Sequence, residues 1–411
     1  MSNSVDMIIR NVRIDDAKPL VDVAIQDGKI VAIEENSALN ATNEIQGEGH
    51  VLIPSFVESH LHLEKAFVMD RKANRSGTLQ EAIAVTAELK PTFTYDDIME
   101  RSRKVIRALV QNGTTYVRAH AEFDPGQGFT GFDAILQLRD EFKDIIDIQV
   151  VAFPQEGIFK YPGTEAMMIE AMEKGADVVG GIPYNDRDAK EHVDFVFDLA
   201  KKYNKDIDLH QDFSDDAHNI SIDYVAEKTI AMGWQGRVSV GHLTSLGALE
   251  PKRRDEVIQL IKEADISVMC LPATDLHLGA RKDEYNVRRT LTPVRALRDA
   301  GVNVCLATNN IRNAFTPYGT GNLLHISMLA VPAAHLGGAD DQITVLPMLT
   351  TNPAKALGLK NYGLAVGNNA DLVLLNTDKI SSVILDVPMP LKVIKHGKVI
   401  AETDITQKVL F

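Results

Sequence analysis

Two histidines one residue apart, His60 and His62, close the strand-length apolar part of the run L-I-P-S-F-V-E-S-H-L-H-L-E-K-A-F from Leu52 to Phe67. Strand side chains alternate between faces with period two, so residues i and i+2 project the same way. The two imidazoles therefore converge on one point. A divalent metal with affinity for nitrogen is the simplest occupant, because neutral imidazole is a common ligand for zinc and related ions. His-x-His alone is equally compatible with two solvated or hydrogen-bonded rings, so the metal reading depends on what ends the other strands.

The elements that must position these residues are legible as an alternation. Apolar β runs recur at Leu52 to His60, Thr114 to His120, Ile146 to Phe153, Ala176 to Ile182, Asp206 to Phe213, Arg237 to His242, Ile266 to Leu271 and Val302 to Asn309. Between them lie stretches with apolar residues at helical spacing, such as those from Thr164, His192 and Pro293. Repeated strand and helix units imply a parallel sheet, and eight of them predict an α/β chain closed as a (β/α)8 TIM barrel. The first connection, Glu64 to Asn112, is long enough for a loop and two helices, and 315 to 365 reads as a further helical region. Short β-rich runs separated by turn residues fill positions 7 to 36 and return after Ala370 and Leu391. Both termini are thus expected to build one small β-domain, 1–53 with 365–411, around an inserted barrel at 54–364.

In such a barrel chemistry belongs where strands end, on the face built by the loops at their carboxyl ends. Those positions carry His60 and His62, His120 and Glu122, Gln155 and Glu156, His210 and Asp212, His242, Asp275 and His277, then Asn309 and Asn310. Six of the twelve histidines fall there, which favours one shared site. His60, His62 and His210 form the expected metal set, since three imidazoles leave positions open for water or substrate. His242 is either a further ligand or a group that stabilises the reactive water and developing oxyanion, and the second role is preferred. Asp212 shares a face with His210 by alternation and is the expected proton shuttle. Gln155, His277 and Arg281 are assigned to substrate. An amide such as Gln155 offers donor and acceptor together and suits a ring N–H beside a carbonyl, while Arg281 also suits a loop-holding role. Lys65, on the loop after the first strand, is read as structural or substrate-facing.

Composition narrows the classes. The chain has 411 residues, 45% hydrophobic and 24% charged, with a net charge of −14 spread along its length. Basic patches that would neutralise phosphates are missing, which argues against nucleic acid as a partner. No apolar stretch reaches the roughly 18 residues of a membrane span. With no leader pattern at the amino terminus, and with Cys270 and Cys305 each inside an apolar run, a reduced cytoplasmic protein is expected.

Taken in order, P-S-F-V-E-S-H-L-H-L-E-K, V-V-A-F-P-Q-E-G, D-L-H-L-G-A-R, N-N-I-R-N-A-F-T-P-Y-G-T-G-N and A-V-G-N-N-A-D-L-V-L-L resemble the amidohydrolase superfamily, and within it the cytosine deaminase group with the related hydrolase of N-alkylated hydroxytriazines. The resemblance implies a metal-bearing barrel beside a small β-sandwich formed by both termini, with one divalent metal, zinc or iron, activating water. By that likeness His60, His62 and His210 fall on metal positions, Gln155 on the position reading the pyrimidine edge, and His242 near the reactive water. Two positions depart from the pattern. Asn309 stands where the family carries a metal-binding, proton-handling Asp, and Phe213 stands where cytosine deaminase has a proton-moving Glu. An amide cannot act as a carboxylate base, so either Asp212 or another acid takes over at the Asn309 end of the site, or hydrolysis is slow or absent. The expected activity is hydrolytic deamination of a small nitrogen heterocycle, pyrimidine or triazine-like. The alternatives are a catalytically degenerate heterocycle-binding barrel and a hydrolase of a cyclic amide. A homo-oligomer is compatible with a barrel of this size.

Overall fold

The computed structural model describes residues 4–410; the outermost parts of the expected terminal domain, 1–3 and 411, lie outside it. Four strands at the amino end, β1 (Ser4–Val12), β2 (Val21–Gln26), β3 (Lys29–Glu34) and β4 (Asn40–Gln46), form a sheet in the order β3-β2-β1-β4. β5 (Val51–Pro54) leaves that sheet and joins another. The barrel strands follow as β6 (Phe56–Leu61), β7 (Thr114–Glu122), β8 (Asp147–Phe153), β9 (Val178–Gly181), β10 (Asp206–Gln211), β11 (Val238–His242), β12 (Ser267–Cys270) and β13 (Val304–Leu306), all parallel and paired in sequence order. His62 N–H donates to Asn309 O at 2.9 Å and Asn309 N–H to His60 O at 2.8 Å, which joins the last strand to the first. The expected α/β barrel is therefore present, and its seam runs through two of the residues singled out for chemistry.

At the carboxyl end β14 (Leu372–Leu375), β15 (Pro390–Lys395) and β16 (Lys398–Glu402) complete the third sheet, order β16-β15-β14-β5. Alternation explains where this sheet sits. Leu372 and Leu374 pack with Ile9, Val23 and Ile25 of the first sheet, whereas Val373 and Leu375 belong to the barrel's core. A strand buried on both faces reads as an unbroken apolar run, and L-V-L-L is that run. The third sheet is thus the middle layer between the amino-terminal sheet and the barrel.

The run from Leu52 to His60, expected as one strand, is two strands in different sheets. Ser55 separates them, its backbone N–H turned to Asp371 O at 2.9 Å. Both halves are apolar because both are buried, so composition could not mark the break. The long first connection does hold two helices, Leu79–Leu89 and Tyr95–Gln111, each started by a threonine side chain accepting a first-turn N–H. Cys270 and Cys305 are free and buried, and burial pushes both thiols up. Among the described residues no helix is long and apolar enough to cross a membrane.

Candidate active site

Strand ends β6, β10 and β11 bring His60, His62, His210 and His242 into one buried cluster, none more than 3% exposed. His210 Nε2 lies 3.2 Å from His60 Nε2 and 3.0 Å from His62 Nε2. One ring nitrogen carries at most one proton, so it cannot bridge to both neighbours by its own hydrogen bond. Two ring nitrogens this close to a third are what a shared cation would satisfy: at metal–nitrogen bonds of about 2.0–2.1 Å, adjacent ligand nitrogens stand roughly 3.0–3.4 Å apart, and His60, His210 and His242 bring ring nitrogens within 4.8 Å of one another. Burial, followed by repulsion from neighbouring cationic groups, holds His60, His62 and His210 well below the usual imidazole range. They are therefore neutral, the form a metal requires. The residues present fit a divalent ion.

Beneath the cluster, buried Asp208 accepts from Arg118 Nη1 at 2.7 Å and pairs with His120 Nε2 at 3.0 Å. The His120 ring packs against His60 with centroids 3.9 Å apart and planes tilted by 34°, so His120 supports the cluster from below. Glu58 is fully buried and accepts from the Thr308 and His60 backbone N–H groups; burial pushes its carboxyl up to about 7. His242 Nδ1 meets Asp275 Oδ1 at 2.6 Å, which turns Nε2 towards the cluster. The Phe213 ring lies flat on His242, centroids 4.1 Å apart and planes within 9°.

Above these rings is a small, tight cavity of about 20 Å3. Its polar lining includes His62, His210, His242, Gln155, Lys65 and Asn309, and its apolar wall is Leu79, Ile83, Phe213 and Phe315. No Asp or Glu lines it among the described residues. Asn309, in the left-handed region at φ +64°, donates from Nδ2 to Thr274 Oγ1 at 3.1 Å, and its Oδ1 is buried without a partner. That oxygen can accept from a ligand or meet a cation, but it cannot take a proton as a base.

Three assignments made from strand alternation and loop position meet a different geometry. β10 ends at Gln211, and Asp212 turns out of the strand at φ +46°, so alternation no longer carries its side chain to the face of His210. Its carboxylate instead accepts from Ser221 N–H, Ser221 Oγ, Ile222 N–H and Gln211 Nε2 at 2.7–3.1 Å, at the start of the helix Ile222–Met232. Burial pushes it up to about 6, and those bonds restrain the rise. His277 and Arg281 lie outside the cavity, in contact with each other, with the Arg281 guanidinium donating to His277 O. Arg281 also packs face-on against Gly77, where a Cβ would lie 2.6 Å from its Cζ. The arginine holds its loop.

Asp275, Glu122 and Lys65 matter more than spacing indicated. Their partners are 33 to 90 residues away in the chain, and nothing local in the sequence announces such pairs. The available signal was that each lies at or after a strand end.

Comparison with known proteins agrees with this architecture. The amidohydrolase family model matches residues 44–401. N-isopropylammelide isopropyl amidohydrolase of Pseudomonas sp. (strain ADP) is 31% identical over 98% of this chain and 99% of its own. The structure of 5-methylcytosine deaminase from Klebsiella pneumoniae liganded with phosphonocytosine superposes with a TM-score of 0.94 at 34% identity, covering 98% of this chain and 100% of that one. N-isopropylammelide isopropylaminohydrolase from Burkholderia multivorans follows at 0.86 and 28%, over 97% and 98%. With a buried histidine cluster at the carboxyl face of a closed barrel, and likeness of this extent from end to end, the chain belongs to the amidohydrolase family, in its cytosine deaminase-like group.

Proposed function

We propose that the cavity binds a small, planar nitrogen heterocycle and that the enzyme hydrolyses an exocyclic or ring C–N bond on it, releasing ammonia or an amine. The observation that carries this is the close approach of the His60 and His62 Nε2 atoms to His210 Nε2, with His242 beside them, at a small cavity with a polar floor and an apolar wall. Relatives named for 5-methylcytosine, N-isopropylammelide and pterin chemistry support the substrate class. His60, His62 and His210 would hold one divalent ion, with zinc or iron suited to an all-imidazole set. Such an ion supplies Lewis acidity that makes water a nucleophile at neutral pH.

The chain's own groups supply the rest. Asp275 accepts the Nδ1–H of His242 and so leaves Nε2 as a lone pair facing the cavity. That nitrogen takes a proton from the attacking water and returns it to the leaving nitrogen, while buried Asp275 stabilises the imidazolium between the two events. Phe213, stacked on the ring, keeps it in place and excludes bulk water. In this scheme His242 does the proton transfer expected of Asp212 and of the missing strand-eight carboxylate. Substrate binding by His277 and Arg281 is not retained.

The test is ammonia or amine release by metal-replete protein across a panel of oxo- and amino-pyrimidines, hydroxytriazines and pterins. His60→Ala is expected to lose both bound metal and turnover, by at least about 10²-fold. Release no greater than in that variant overturns the reading. A cavity lining without any carboxylate favours one second reading, a barrel that binds the ring without turnover. Stoichiometric ring binding, with no product from the natural chain or from Asn309→Asp, would establish it.

A further inference from the structure

Tyr184 lines the cavity beside the histidines, yet it takes no part in holding the ion or moving the proton. It belongs to the short 3-10 helix Pro183–Asn185 after β9, the strand between those that lead to Gln155 and His210. That turn is clamped on both sides. Before it, Ile182 N–H donates to His192 Nε2 at 2.9 Å, and Gly181 leaves the ring room, since a Cβ there would lie 2.7 Å from the same nitrogen. After it, Asn185 Nδ2 donates to Gln155 O at 2.9 Å, and Asp186 accepts from Ile158 N–H at 2.6 Å and from His192 Nδ1 at 2.7 Å. Because Nε2 accepts, the His192 proton is on Nδ1, and one imidazole ties the two ends of the turn together.

Among the described residues two side-chain hydroxyls line the cavity, those of Thr274 and Tyr184. Thr274 Oγ1 is taken, by Thr316 Oγ1 at 2.7 Å and by Asn309 Nδ2 at 3.1 Å. The Tyr184 hydroxyl has no protein partner among the described residues, and a polar group at that depth is costly unless a ligand or water meets it. Burial, then the charges of Asp275 and Asp212, push its phenol up, so it is neutral and has a proton to donate. Asp275 is also the partner of His242, which sets Tyr184 on the side of the cavity where the proton moves.

We propose that Tyr184 is a substrate-contacting residue whose hydroxyl donates to an unprotonated ring nitrogen next to the reacting carbon, and that the site therefore selects rings that carry one. This rests on the cavity being a heterocycle site. As the oxygen of water bonds to the ring carbon, the C=N electron pair moves onto that nitrogen and its negative charge grows. A phenol oxygen shares its lone pairs with the aromatic ring, so it gives a hydrogen bond better than it takes one. The bond from Tyr184 is thus stronger in the transition state than to the resting ring, and it lowers the barrier while the phenol keeps its proton. The transfer from water to the leaving nitrogen stays with His242.

Tyr184→Phe removes one oxygen and strands no protein partner, so fold and bound metal are expected to persist. The experiment measures dissociation constants for pyrimidin-2-one and for pyridin-2-one, in which C–H replaces one ring nitrogen, by ligand-observed NMR on metal-replete protein. The natural chain is expected to hold pyrimidin-2-one tighter by about fivefold or more, and in Tyr184→Phe the ratio falls towards one with metal content unchanged. On a heterocycle that the natural chain turns over, kcat of the variant falls by about 10²-fold while KM changes little. A ratio that survives Tyr184→Phe, no preference in the natural chain, or failure of both rings to bind overturns the proposal. The expected change of ratio with no amine release from any heterocycle would overturn the hydrolytic reading and leave this contact standing. Amine release with both ratio and kcat unaltered in Tyr184→Phe would do the reverse.

Discussion

At the scale of single residues, the proposed chemistry depends on which nitrogen of His242 faces the cavity, and the contact of Nδ1 with buried Asp275 decides it. Asp275→Asn keeps the size of the side chain but presents an amide that can bond either tautomer of the ring. Turnover is expected to fall by about 10²-fold or more, with KM and bound metal little changed. A steady-state comparison with metal analysis checks this, and a loss of metal in parallel with activity would instead make Asp275 a support for the cluster. The histidines of this site could be read directly from the sequence because each lies at or next to the end of a strand, and period two puts His60 and His62 on one face. Asp275, Lys65 and Glu122 also stand at or after strand ends, but their roles come from partners far along the chain, which position alone does not reveal. The departures Asn309 and Phe213 were visible as residue types. Only the fold shows that Phe213 stacks on His242 and that, among the described residues, no carboxylate takes the vacated place in the cavity lining.

At the scale of elements, the sequence reading went furthest wrong where a strand stops. Asp206 to Phe213 is continuous in composition, yet the strand ends at Gln211 and Asp212 takes the left-handed conformation that Asp tolerates better than most residues. Its carboxylate then meets the amino end of the helix Ile222–Met232, where unpaired N–H groups and the helix dipole favour an anion. Asp212→Ala is expected to cost about 1–3 kcal/mol in denaturant unfolding, because it strands buried donors. A variant as stable as the natural chain but catalytically dead would return Asp212 to the proton-shuttle role. A second element-level device fixes the loop that follows His60 and His62. Arg101 donates to Glu64 O at 2.6 Å and Ala66 O at 2.7 Å, and is itself held by Asp97 in the same helix. Burial alone would raise the Asp97 carboxyl, but Arg71 and Arg101 outweigh it and hold it at about 2. A depressed carboxyl contributes stability that is complete above its unfolded value near 4 and is lost as pH falls towards 2. The stability difference between the natural chain and Asp97→Asn should therefore be constant above about pH 5 and shrink between pH 4 and 2. A difference that stays level through that range would mean that the clamp does not depend on the charge.

At the scale of the whole molecule, the barrel and the terminal sheets share a layer, so neither can loosen alone. β14 sends Leu372 and Leu374 one way and Val373 and Leu375 the other, a double burial that the sequence displays as an unbroken apolar run but does not assign to two cores. One buried cation strengthens the joint. Lys395, on β15 and 1% exposed, reaches Asp371 at 3.1 Å and Asp147, the first residue of barrel strand β8, at 2.6 Å. It lies 3.8 Å from the Tyr116 ring centroid, and the Tyr116 hydroxyl donates to the same Asp371 carboxylate. Lys395→Met fills the volume but leaves Asp371 charged and buried. Breaking a buried pair from one side costs about 3–5 kcal/mol, whereas replacing both partners costs much less. Chemical denaturation is expected to register the larger loss for Lys395→Met and a partial recovery for Lys395→Met with Asp371→Asn, a coupling that marks direct interaction. Because the middle sheet belongs to both cores, the loss should appear as a shift of one cooperative transition. The histidine cluster, at the opposite face of the barrel from Asp147, should keep its metal below that transition. Two resolved transitions, with the terminal sheets melting first and the barrel unmoved, would show that the shared layer does not couple them, and the inserted barrel would then be stable without the strands that bracket it.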